Sequence, residues 1–164
     1  MIKDAKIDAS EKYRYWLLRS WDNNLPCMTY VMLNPSTADA SNDDPTIRRC
    51  ISFAKSWGYG SLEVVNLFAF RATKPVDLLN CEDPIGLDND SYIMQSYSKS
   101  ELIVAAWGTY GALNTRNVSV ENLITSKFDI HCLNKTIKGH PRHPLYVKGD
   151  TELLIYKESF KEKF

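Results

Sequence analysis

The chain has 164 residues, 44% of them apolar, and its twenty basic and twenty acidic side chains cancel at pH 7. That length suits one domain, residues 1–164, with a substantial core, and a pI near 6.8 argues against a protein that coats nucleic acid or membrane by charge alone. Met1 to Lys6 carry no apolar signal-peptide core and no run approaches membrane-spanning length, so a cytoplasmic location without a membrane partner is expected.

Residues 1–11 are polar and read as a loose arm or a first short strand. Lys12 to Trp21 interleaves aromatic and basic residues, the pattern of a strand using both faces. Asp22 to Pro26 is a turn, which predicts a hairpin with an apolar strand over 27–33. Asp43 or Asp44 then caps a helix starting at Pro45, with Ile47, Cys50, Ile51, Ala54 and Trp57 at helical spacing and Gly58 as its stop.

Leu62 to Leu67 reads as a buried strand, Pro75 to Leu79 as a short helix and Asp88 to Ser98 as a longer one. Leu102 to Trp107 is a third buried strand, Val118 to Lys127 a helix and Asp129 to Leu133 a fourth strand. The segment Lys138 to Tyr146 is too rich in Pro and Gly to be regular, and the stretch from Thr151 onward reads as helix. Buried strands alternating with helices imply an α/β fold, a three-layer α/β/α sandwich around a mostly parallel sheet. The four cysteines, Cys27, Cys50, Cys81 and Cys132, are singly spaced without a C-x-x-C pair, so reduced thiols and no metal or other cofactor are expected.

Each apolar strand is followed by a loop of unusual chemistry, as in a site assembled at the carboxyl edge of a sheet. Pro35 cannot continue a strand ladder, so Asn34 leaves the sheet with Ser36, Thr37 and Asp39 behind it. Asn34 suits orienting a water or an amide-bearing ligand, or else closes an Asx turn. Ser36 and Thr37 suit phosphate or local turns. Asp39, Asp43 and Asp44 suit a base or metal ligand, against a solvated loop with a helix cap. Asn66 interrupts an apolar strand end, where an unpaired amide is costly, and suits reading the edge of a planar ligand or tying two loops together.

Phe68 or Phe70 suits stacking on a ring, or core packing, and Arg71 suits phosphate, carboxylate or a surface ion pair. Gly108 and Gly111 flank Thr109-Tyr110 but form no G-x-G-x-x-G, and Trp107 reads as core. In His140-Pro141-Arg142-His143-Pro144, two prolines stiffen a partly cationic loop suited to an anion or to developing negative charge.

These segments carry a family resemblance. The chain resembles domain-of-unknown-function family 1643, from Tyr13 to about Tyr146, through Met32 to Ala38, Asp44 to Arg49, Val65 to Thr73, Ala106 to Gly108 and His140 to Tyr146. The order of motifs is also similar, more distantly, to the uracil-DNA glycosylase superfamily. That likeness implies a three-layer fold in which Asn34 positions water, Asn66 recognises a base edge and Phe68 or Phe70 stacks on the base. His143, or else His140, faces the departing base anion. Ser36 stands where those enzymes carry Gly, and Arg142 where they carry Ser.

The expected function is therefore a nucleobase- or nucleotide-binding protein of glycosylase-like fold, an N-glycosylase acting on DNA or a nucleoside. The alternatives are a non-catalytic nucleic-acid or nucleotide binding module and an unrelated hydrolase using Asp39 or Asp43 as base. Catalysis falls to Asn34 and His143; binding falls to Ser36, Thr37, Asn66, Phe68, Phe70, Arg71, His140 and Arg142. A DNA substrate calls for a basic strip, for which Arg48, Arg49, Arg71, Arg142 and Lys148 are available.

Overall fold

A computed structural model describes residues 1–160. The strands are β1 (Ile2–Ile7), β2 (Arg14–Ser20), β3 (Cys27–Met32), β4 (Ser61–Asn66), β5 (Leu102–Ala105), β6 (Ile130–Cys132) and β7 (Leu154–Lys157). The helices are α1 (Pro45–Ser56), α2 (Val76–Leu79), α3 (Asn89–Lys99) and α4 (Arg116–Thr125), with short 3-10 segments at Gly108–Thr115 and Pro144–Tyr146. One sheet runs in the order β1-β2-β4-β3-β5-β6-β7.

The sheet is mixed, which corrects the expectation of a mostly parallel one. The pairings β3–β4, β3–β5 and β5–β6 are parallel, while β1–β2, β2–β4 and β6–β7 are antiparallel. Antiparallel strands are added at both flanks by segments whose pattern carries no direction. Residues 2–7 form an edge strand rather than a loose arm.

The expected hairpin between β2 and β3 is also corrected, because β4 lies between them and pairs with both. The 22–26 loop instead crosses the start of β4 against Gly60, whose carbonyl accepts from Trp21 N at 2.9 Å and whose N–H donates to Pro26 O at 2.9 Å. A Cβ on Gly60 would lie 1.9 Å from Asp22 O, so only glycine admits this approach.

The helix expected from Thr151 is a strand at its core, β7; residues 161–164 of that stretch lie outside the described residues. Tyr156 decides the outcome: its ring packs edge-on against Trp107 at 5.7 Å and its hydroxyl donates to Glu121 Oε1 at 2.5 Å. Those contacts anchor an edge strand rich in β-branched and aromatic residues.

Strand alternation separates two apolar clusters, one on each face of the sheet. Met28, Tyr30, Val64 and Val104 pack with Ile47, Cys50, Phe53 and Ala54 of α1. On the other face Val31, Val65, Ile103 and Ala105 pack with Ile93 and Tyr97 of α3 and with Val120 and Ile124 of α4. Asp44 caps α1 by accepting from Ile47 N at 2.9 Å, with Pro45 at the first helical position. No helix among the described residues is long and apolar enough to cross a membrane. The four cysteines are free thiols.

Candidate active site

The carboxyl ends of the four mutually parallel strands meet at one edge, and the loops that leave them are tied together through backbone. Leu67 N donates to Met32 O at 2.9 Å, Ala72 N to Pro35 O at 3.0 Å and Gly108 N to Pro141 O at 2.8 Å. Between these loops lies a cavity of about 530 Å³, within the range of small-ligand sites. Asn66, the last residue of β4, lines it together with Asn34, Trp107 and His143 from the loops after β3, β5 and β6.

Asn34 does not close the Asx turn. Its Nδ2 donates to Ala72 O at 2.7 Å and to Pro35 O at 3.0 Å. Both amide protons are thereby committed, and Oδ1 is left without a donor among the described residues. The side chain is held as an acceptor at the cavity wall.

Asn66 closes β4 in register with Met32 and is 1% exposed. Neither its Oδ1 nor its Nδ2 has a partner among the described residues. It does not tie two loops together through its side chain. A buried amide with both ends unmade costs on the order of 1–3 kcal/mol, which a matching ligand edge would recover.

His143 precedes the Pro144–Tyr146 turn, and its Nδ1 accepts from Leu145 N at 3.2 Å. That bond needs the Nδ1 lone pair, so in the neutral ring the proton sits on Nε2. Burial lowers its pKa from the ordinary value, with the Asp44 carboxylate partly opposing. Arg49 of α1 fastens the same turn, donating from Nε to Pro144 O at 3.3 Å and from Nη2 to Val147 O.

The cavity holds a cation that sequence reasoning missed. Arg14, at the start of β2, is 2% exposed, and Nη1 donates to Ala38 O at 3.0 Å while Nε has no partner. Burial lowers its pKa to about 10, against the raising effect of Asp44, so it is charged at neutral pH. Nothing in an alternating strand pattern marks Arg14 as inward. Trp107 is core as expected, 2% exposed, yet it also lines the cavity with an unpartnered Nε1. Tyr110 and Tyr146 stand at the cavity wall, 59% and 77% exposed.

Other expected residues are divided. Ser36 and Arg142 line the cavity, whereas Thr37 and Arg71 line a shallower adjoining pocket that shares Ser36. Phe68 is fully buried in the apolar cluster shared with α3 and α4, and Phe70 packs edge-on against Tyr13 at 5.7 Å. Neither phenylalanine lines the cavity, because the chain turns both side chains into packing after β4. His140 does not line it either; its backbone N–H donates to Thr136 Oγ1 at 3.1 Å.

The acids weighed as a base or metal ligand are each hydrogen-bonded or ion-paired within the fold. Asp39 Oδ1 accepts from Ser41 N at 2.9 Å and Asn42 N at 2.8 Å. Asp43 pairs with Arg19 Nε at 2.7 Å. Asp44 lines the cavity, but both its oxygens accept backbone N–H groups, from Ile47 and Ala38. Among the described residues no cluster of three or more His, Cys, Asp or Glu is placed to hold a metal ion.

Arg48, Arg71 and Arg142 donate to backbone carbonyls, of Asp43, Ser36 and Lys135, as Arg49 does. None of the four is in an ion pair with a described residue; Arg142 lines the cavity and Arg71 the adjoining pocket, while Arg48 and Arg49 line neither.

Residues 14–145 match the family described as Protein of unknown function (DUF1643). The chain belongs to that family. No curated protein and no solved structure gives a significant match. The DUF1643 match begins at Arg14, and of the cavity-lining residues only Tyr146 falls beyond it. The family region thus contains nearly the whole cavity lining.

Proposed function

We propose that this cavity binds a nucleobase and that the protein hydrolyses the bond between that base and its sugar. The observation that carries the reading is the unpartnered amide of Asn66 in a cavity of about 530 Å³. Its Nδ2 and Oδ1 are complementary to an adjacent carbonyl and ring N–H, the edge that bases present. The cavity-lining rings of Trp107, Tyr110 and Tyr146, rather than Phe68 or Phe70, are available to pack on the base.

The reaction needs an oriented water and help for the leaving base. Asn34, with both protons committed, accepts from water through Oδ1 and aims the oxygen at the sugar C1′. The water oxygen bonds C1′, the C1′–N bond breaks, and its electron pair leaves on the base. His143 donates from Nε2–H to the base oxygen on which that charge settles, and the water proton passes to solvent. One such donor is worth roughly 10²–10³ in rate.

The likeness to the uracil-DNA glycosylase superfamily supports the same assignment and a glycosylase-like fold for the chain. The four arginines donating to carbonyls suit the phosphates of DNA or of a nucleotide.

The test is base release from a panel of damaged duplexes, single strands and nucleosides, followed by chromatography. Release by the wild type, lost in Asn34→Ala and His143→Ala with binding retained, is the expected result. Binding without release from any substrate would make the protein a non-catalytic binding module instead.

A further inference from the structure

Among the described residues three arginines are buried: Arg14, Arg19 and Arg116, at 2%, 0% and 5% exposure. Two of them are paired with carboxylates. Arg19 donates from Nε to Asp43 at 2.7 Å and from Nη2 to Asp39 O at 2.6 Å. Arg116 donates from Nε to Leu67 O at 2.8 Å and from Nη2 to Asp90 at 2.5 Å. Each therefore uses the Nε–Nη2 edge, the planar fork that accepts two oxygens side by side, and each pairs with a carboxylate.

Arg14 does neither. Its single acceptor among the described residues, Ala38 O, takes Nη1, the nitrogen outside that fork. It is in no ion pair with a described residue, although Asp44 lines the same cavity. Asp44 is held away by its own backbone donors, Ile47 N at 2.9 Å and Ala38 N at 3.3 Å. Ala38 thus receives Arg14 through its carbonyl and Asp44 through its N–H. The guanidinium is fixed in place while its fork stays empty.

An unpaired buried charge is among the most costly features a fold can carry. A cation kept in that state at a cavity wall is complementary to an anion that arrives with the ligand. We infer that Arg14 is an oxyanion receptor, and that the ligand of this cavity carries a carboxylate or phosphate whose two oxygens seat on the Nε–Nη2 fork. The inference rests on the base-binding reading above and adds the charge of the ligand. It favours a carboxylated base or a nucleotide over a neutral base or nucleoside.

Calorimetric titration of the full chain with four probes tests it: uracil, orotate, uridine and uridine 5′-monophosphate. Inorganic phosphate and acetate serve as anions without a base. The expected result is a tenfold or greater preference for orotate over uracil, or for the monophosphate over uridine; which pair shows it tells carboxylate from phosphate. Arg14→Gln should shrink that preference below threefold. Arg14→Lys, which keeps the charge without the fork, should lose most of it, and it covers the case in which the Gln variant fails to fold.

Equal affinity for charged and neutral probes, or a preference that survives in both variants, overturns the inference and leaves the base-binding reading standing. Phosphate or acetate binding through Arg14 with no added affinity from any base supports the anion receptor and removes the base-binding reading. Absence of binding by every anionic probe to the folded wild type overturns the inference.

Discussion

Asn34 Nδ2 donates to the carbonyl oxygen of Ala72 at 2.7 Å, joining the loop after β3 to the loop after β4 across 38 positions. The same two loops are joined again by Ala72 N to Pro35 O at 3.0 Å. One cavity-lining residue therefore braces the two loops, and its Oδ1 has no donor among the described residues. Asn34→Asp keeps the shape but replaces a donor with a second anionic oxygen facing two carbonyls. It is expected to destabilise the fold by about 1–3 kcal/mol in urea melts and to lower base release by at least a hundredfold. Unchanged stability would mean that Asn34 does not brace these loops.

Asn66 should behave in the opposite sense. Because neither amide atom has a partner among the described residues, Asn66→Leu removes an unmet desolvation cost while keeping the branched shape, its larger methyl groups directed at a site beside the cavity. Thermal melts are expected to show a variant as stable as the wild type or more so, by up to about 2 kcal/mol. The same variant should lose base binding by tenfold or more in titration. A strongly destabilised variant would show that the amide is satisfied within the fold, and the base-edge role would go with it.

The parts of this site that were legible in the sequence are those where a residue type contradicts its surroundings. Pro35 had to end a strand, Asn66 interrupted an apolar run, and the prolines around His143 had to stiffen a loop. These marks placed Asn34, Asn66 and His143 at strand ends, and all three line the cavity. Arg14 left no mark, because a basic residue in an alternating strand reads as solvent-facing whatever the neighbouring loops later cover. Phe68 and Phe70 carried the right chemistry, but their direction depends on the path after β4. The place of β2 was hidden for another reason: adjacency in sequence favours a hairpin with β3, and only β4, arriving thirty residues later, displaces it.

That displacement depends on Gly60. Its backbone receives the 22–26 loop so closely that a methyl group would meet Asp22 O and the Cβ of Leu25, at 1.9 Å and 2.8 Å. Backbone and a Cβ cannot move aside as a flexible side-chain end can. Gly60→Ala should therefore cost about 1–3 kcal/mol, read as a lower urea midpoint with an unchanged slope. The cavity lies at the other end of the strands, so base binding should remain. A neutral substitution would show that the loop has room to shift.

The pH dependence of stability should carry the signature of His143. Burial lowers its pKa from the ordinary 6.5, so the folded protein binds this proton less readily than the unfolded chain. The neutral ring's contribution is fully present above about pH 6.5 and is lost as pH falls from there through the depressed folded value. Protonation of Nδ1 also removes the acceptor for Leu145 N, loosening the turn that Arg49 holds. His131, whose pKa burial also lowers, acts in the same direction and stays in place as an internal reference. In His143→Asn the side-chain oxygen takes over the acceptor role without titrating. Its melting temperature should fall less than that of the wild type between pH 7 and pH 5, and parallel curves would show that His143 is not the group being charged.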